Sequence, residues 1–168
     1  IEACVYPMLL SSEHPLASVR NSFNAVFVHG DAVDDVMFYG RGAGEFPTAS
    51  AVMGDIIDVI RDMVNGCTGR ISNTCYRELP VKKCRDIRSK FFLRMQVENR
   101  PGVLASIASV FGEHKVSINK VVQKIITDGM AEVVIVTDAV KEYHMQDAQE
   151  ELLRMPIVKE ISSVIREY

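Results

Sequence analysis

Apolar and polar positions change their period several times along this chain, and each change marks an element. Near the start, ACVYPMLL reads as an extended segment interrupted by Pro7, which has no backbone N–H to give a sheet. Two dense apolar runs follow, NAVFV at 24–28 and DVMFYG at 35–40. HGDAVD joins them, with glycine and aspartates suited to a turn, so a β-hairpin is predicted, apolar enough to expect burial on both faces. After GRGAGE, Pro47 and Thr48 suit a helix start. Val52, Ile56, Val59, Ile60 and Met63 then recur at helical spacing, and the helix should end near Asn65-Gly66, where Gly66 suits a left-handed cap.

Residues 67–89 show no clear period and carry several basic side chains, which places a linker there. From residue 91 the order is strand FFLRMQVE, helix PGVLASIASVFGEH, strand VSINKVVQKI, strand MAEVVIVTD, helix HMQDAQEELLRM and strand VKEISSVIR. Leu104, Ile107, Ala108 and Phe111 share one face of the first helix, and Met145, Ala148, Leu152 and Met155 one face of the second. Asp128-Gly129 signals a hairpin between the middle strands. This βαββαβ order predicts two helices on one face of a four-stranded antiparallel sheet, the ferredoxin-like arrangement. The fold class is therefore α+β, with residues 1–66, 67–89 and 90–168 as tail, linker and second module. The chain opens at Ile1 in mid-pattern, so an upstream region is expected.

Composition narrows the functions. Across 168 residues, 48% are hydrophobic and 24% charged, as in ordinary globular protein. A formal net charge of −3 offers nucleic acid no global attraction, and no apolar run approaches the roughly 18–20 residues of a membrane span. The basic residues Arg77, Lys82, Lys83, Arg85, Arg88 and Lys90 lack interleaved aromatics and read as a solvated linker. Cys4, Cys67, Cys75 and Cys84 have no CxxC spacing and the four histidines are scattered, so no metal site is expected. Reduced thiols, a cytoplasmic location and no disulfide bridges follow as expectations. The eight methionines fall mainly at apolar positions and fill cores.

Two segments carry candidate chemistry. At Asn99-Arg100-Pro101-Gly102, Pro101 suits the first helical position and Gly102 lets a ligand approach the backbone. Free N–H groups and the positive end of the helix dipole favour a carboxylate, while Asn99 and Asn119 can orient an amine or hydroxyl. An α-amino acid satisfies both requirements. The plainer alternative is a Pro-Gly helix start with asparagines that cap turns. The second segment, Gly40-Arg41-Gly42-Ala43-Gly44, lies between a strand and a helix and presents amides to an anion. It lacks the GxGxxG spacing of a dinucleotide fingerprint, so a tight structural turn is the competing reading.

The motif ENRPGVLASIASVFGEHKVSIN, in its βαββαβ setting, resembles the ACT domain, a small regulatory module that pairs with another copy and binds amino acids at the interface. That resemblance implies an effector loop of Asn99, Arg100, Pro101, Gly102, Val103 and Leu104, flanked by Ile118 and Asn119. Residues 1–65, with PMLLSSEHPLASVRNSFN leading into NAVFV…FYGRGAGEFPTASAVMGDIID, resemble the end of the homoserine dehydrogenase catalytic region. There the glycine-rich segment approaches the nicotinamide of NAD(P), which implies Gly40, Gly42 and Gly44 as cofactor neighbours, with Thr48 and Ala49 nearby and Glu45 beside them. The family's Rossmann half, catalytic lysine and acidic substrate-binding residues would lie upstream of Ile1, so no catalytic residue is assigned, no cofactor is expected on this chain alone, and dehydrogenase activity is not expected of it. Together the resemblances imply a part of a dehydrogenase that reduces aspartate semialdehyde to homoserine. Its second module, residues 90–168, would bind an amino-acid effector, L-threonine foremost, and form homo-oligomers. The alternatives are a free-standing sensor and an oligomerisation module that binds no effector.

Overall fold

The computed structural model describes residues 1–69, 77–125 and 129–168. In chain order the elements are β1 (Met8–Leu9), β2 (Phe23–Gly30), β3 (Asp34–Arg41), α1 (Glu45–Val64), β4 (Arg88–Glu98), α2 (Val103–Glu113), β5 (Ile118–Ile125), β6 (Met130–Thr137), β7 (Val140–Lys141), α3 (Glu142–Arg154) and β8 (Val158–Glu167). Short 3-10 turns occupy Pro15–Ser18 and Cys84–Asp86. The chain forms two compact units, Leu10–Glu78 and a second made of Ile1–Leu9 with Leu79–Tyr168. The first nine residues, placed with the tail by the sequence pattern, thus pack with the second module.

In the Leu10–Glu78 unit, β2 and β3 pair antiparallel from Phe23↔Arg41 to Gly30↔Asp34, as the hairpin pattern predicts. Phe23 stacks on Tyr39 across the strands with ring centroids 4.8 Å apart, and the Arg41 guanidinium lies 4.9 Å from the Phe23 ring. The expected burial on both faces does not occur. β2 and β3 form a sheet by themselves, Phe23, Ala25 and Phe27 are half-buried, and Val26 and Phe38 are 61% and 65% exposed. Apolar density records a need for cover, and nothing else among the described residues of this unit supplies it on both sides. α1 begins at Glu45, ahead of the expected Pro47-Thr48, and ends at Val64, with Gly66 at φ +65°. Its apolar residues at helical spacing are likewise exposed.

The second unit holds the main core. Its sheet runs β1-β8-β4-β6-β5, with the two-residue β7 also paired to β4. The four long strands are antiparallel neighbours in the ferredoxin-like order, as the βαββαβ reading requires. Alternate residues of β4 (Phe91, Leu93, Met95, Val97) and β6 (Ala131, Val133, Ile135) point to one face, where α2 and α3 cover them. Thr137 continues that row, and its buried hydroxyl accepts a 3.0 Å hydrogen bond from the Phe91 amide, which keeps the polar group satisfied.

Met145, Ala148 and Leu152 are buried on α3, as its period predicts. On α2 the buried face is Val103, Ile107, Val110 and Phe111, while Leu104 and Ala108 are exposed. The predicted face is therefore rotated. At the helix start Gly102 is the cap and Val103 the first helical residue, so Pro101, expected at the first helical position, stands outside the helix. On the sheet edge, β1 runs parallel to the end of β8, Met8 beside Arg166. The hairpin signal at Asp128 lies outside the described residues, as does Cys75.

Candidate functional site

The loop between β4 and α2 is fixed by backbone bonds on both sides. The Glu98 amide donates to the Ile157 carbonyl at 2.9 Å and the Asn99 amide to the Gly129 carbonyl at 2.7 Å. The Arg100 guanidinium folds back on the Glu98 carboxylate at 2.5 Å. Gly102 then turns the chain at φ +88°, ψ −16°, a conformation that costs an L side chain about 1 kcal/mol or more. The first helical bond of α2 runs from the Ser106 amide to the Gly102 carbonyl at 3.0 Å, and no side chain caps the helix. The amides of Leu104 and Ala105 therefore precede the i→i−4 ladder and point out of the helix start.

The helix start at Leu104 borders a cavity of about 370 Å³ lined by Val97, Glu98, Asn99, Arg100, Pro101, Gly102, Val103, Leu104 and Gln123. The six loop residues singled out in the sequence thus come together. Val97, Glu98 and Gln123 on β5 were not singled out; the Gln123 side-chain amide donates to the Asn99 side-chain oxygen at 3.3 Å. Its contribution depends on strand placement, which local sequence does not reveal. Ile118 and Asn119 are placed elsewhere. Ile118 packs against the core, and the Asn119 side chain donates to Asp138 at 3.0 Å. Asp138 also accepts from the Ser117 hydroxyl at 2.8 Å. The hydrogen bond from Ser117 first, then that from Asn119, hold the Asp138 carboxyl below the usual aspartate range, with a smaller pull from Lys90.

The glycine-rich segment sits at the end of β3 and the start of α1. Gly44 is the helix cap at φ +128° with no side-chain hydrogen bond, and the Thr48 amide donates to its carbonyl at 3.1 Å. An open groove beside it is lined by Gly44, Glu45, Thr48, Ala49, Val52 and Met53. A Cβ at Gly42 would meet the amide end of the exposed Asn24 side chain, which would have to shift. Gly40 has open space around it and lines a separate groove along the hairpin with Gly42. Bare backbone, an uncapped helix start and the Thr48 hydroxyl fit the polar portion of a dinucleotide. Among the described residues, no group of three His, Cys, Asp or Glu side chains stands close enough to hold a metal, and no helix is long and apolar enough to cross a membrane.

The family model described as homoserine dehydrogenase matches residues 1–57, and the ACT domain model matches residues 91–154. A homoserine dehydrogenase of Corynebacterium glutamicum is 43% identical over 99% of this chain and 37% of its own length. That of Bacillus subtilis is 41% identical over 99% of this chain and 39% of its own. The crystal structure of a homoserine dehydrogenase from Thiobacillus denitrificans superposes with a TM-score of 0.87 at 30% identity, covering 99% of this chain and 39% of that one. The chain thus spans about two fifths of the length of these relatives. It belongs to the homoserine dehydrogenase family, as a part that carries an ACT domain behind the catalytic family's match.

Proposed function

We propose that this chain is the regulatory portion of an NAD(P)H-dependent, cytoplasmic enzyme that reduces aspartate semialdehyde to homoserine, and that its cavity at residues 97–104 binds an amino-acid effector, L-threonine foremost. The observation that carries the reading is the 370 Å³ cavity at the uncapped start of α2. The size suits a small metabolite. The Leu104 and Ala105 amides take the effector carboxylate, and Asn99, held by Gln123, faces its ammonium or hydroxyl group. Effector binding then lowers activity by favouring one of two arrangements of paired ACT domains.

In the whole enzyme, Gly44 and Thr48 at the α1 start, with Gly40 and Gly42 ahead of them, would hold the nicotinamide end of the cofactor. NAD(P)H supplies the hydride when bound. The chain's own residues contribute close backbone approach and an anion-favouring helix end. Titration calorimetry of the 168-residue chain with threonine, isoleucine, methionine and lysine tests the effector reading. Saturable heat with threonine, absent with lysine, is the expected result, and silence with all four would reject it.

A second reading, an ACT module that assembles without an effector, draws support from Asn119, whose side chain is committed to Asp138 rather than to the cavity. Silent calorimetry with a stable dimer in sedimentation would favour it.

A further inference from the structure

The geometry points to Cys4 and Cys84 as a reversible redox pair that, once oxidised, clasps the start of the chain to the segment leading into β4. The Ile1 nitrogen donates to the Pro80 carbonyl at 2.9 Å, and the Lys82 amide donates to the Ile1 carbonyl at 2.8 Å. That is the hydrogen-bond pattern of parallel strands centred on Ile1 beside Val81. The Lys82 ammonium meets the Glu2 carboxylate at 2.8 Å, so the same offset of 80 holds one residue further on. Carried two residues more, with the side-chain alternation of extended backbone, it sets Cys4 beside Cys84 on the face shared by Glu2 and Lys82.

The other end of this arrangement is also anchored. Cys84 opens the 3-10 turn whose following residue, Ile87, accepts from the Glu142 amide at 2.9 Å. Glu142 is paired with Arg166 at 2.6 Å, and the Arg166 guanidinium lies 4.2 Å from the Tyr6 ring, just past Cys4. Cys4, Tyr6, Cys84, Ile87, Glu142 and Arg166 accordingly line one cavity of about 320 Å³. Both thiols are free and exposed, so an oxidant reaches them. Neighbouring extended strands bring Cα atoms to about 4.8 Å, within the range a disulfide spans.

The chemistry balances with a low-molecular-weight disulfide such as oxidised glutathione. Partial shielding from water, then the hydrogen bond and charge of Cys84, raise the Cys4 thiol above the usual range, with Arg166 pulling the other way. Cys84 attacks first, giving up its proton, breaking the glutathione S–S bond and releasing one glutathione. Cys4 then gives up its proton and attacks the Cys84 sulfur, expelling the second. Two thiols lose two protons and two electrons, and one oxidised glutathione becomes two reduced ones.

The test is incubation of the 168-residue chain in glutathione buffers of rising oxidised fraction, alkylation of remaining thiols, and digestion after glutamate. Peptides 3–13 and 79–98 then hold Cys4 and Cys84 separately, and peptide 46–78 holds Cys67 and Cys75. The expected result is a cross-link between 3–13 and 79–98 that reduced glutathione reverses and that survives Cys67→Ser with Cys75→Ser. The bond should raise the melting midpoint by several degrees, because it closes a long loop, and Cys4→Ser should remove both effects. A dominant cross-link to 46–78, or Cys84 halted at the glutathione adduct, would overturn the pairing. A cross-link without a shift in the midpoint would overturn the clasp.

Discussion

Gly102 and Asp138 show how single residues shape two separate parts of the second unit. An added Cβ at Gly102 meets nothing within 4 Å, so substitution is limited by its positive φ alone. Gly102→Ala should destabilise the chain by about 1 kcal/mol in urea unfolding while retaining threonine binding. Gly102→Asp should lose as much stability and weaken binding at least about tenfold by calorimetry, because a carboxylate at the helix start competes with that of the effector. Equal binding by both variants would remove the effector from this loop. Asp138 acts through pH: its lowered pKa means that its bonds to Ser117 and Asn119 contribute stability above the ordinary aspartate value of about 3.9. That contribution fades as pH falls through the lower native value. The difference in melting midpoint between wild type and Asp138→Asn should therefore be constant at neutral pH and shrink toward zero in strong acid.

At the scale of elements, the rotation of α2 yields a direct test. Phe111 is fully buried and Leu104 is 39% exposed, although the helical period alone assigns both to one face. Phe111→Ala should cost about 3–5 kcal/mol in chemical unfolding, and Leu104→Ala well under half of that. The ladder of strands and helices from residue 88 onward was legible because each strand alternates and each helix repeats within its own span. The hairpin was legible for the same reason, at 24–28 and 35–40 against the observed Phe23–Gly30 and Asp34–Arg41. What escaped depends on partners distant in sequence. Examples are β1 beside β8, Gln123 bonded to Asn99, and Glu142 closed on Arg166. No local period encodes such pairings. The loop at residues 99–104 was legible as a motif, but the separate placement of Asn119 was not, since its bond reaches Asp138, distant in sequence.

At the scale of the molecule, two of the apolar surfaces that stand open among the described residues lie in different units. On α1, Val52, Ile56, Val59, Ile60 and Met63 are each 45–66% exposed, a stripe suited to a partner surface. On the second unit, β5 is the edge of the sheet and carries Val121 and Val122 at 45% and 60% exposure. An unprotected edge strand with outward valines invites a second copy. Removing such surface from water is favourable by about 25 cal/mol per Å², so both should drive association of the isolated chain. The two surfaces can act independently, which predicts complexes larger than dimers in sedimentation velocity. Val121→Lys with Val122→Lys should block the edge, and Ile56→Glu with Ile60→Glu the helix stripe. Each pair alone should leave dimers, and the four changes together a monomer. If the edge pair alone gave a monomer, association would run through the sheet edge alone. The α1 stripe would then need its cover from the remainder of the dehydrogenase rather than from a second copy of this chain.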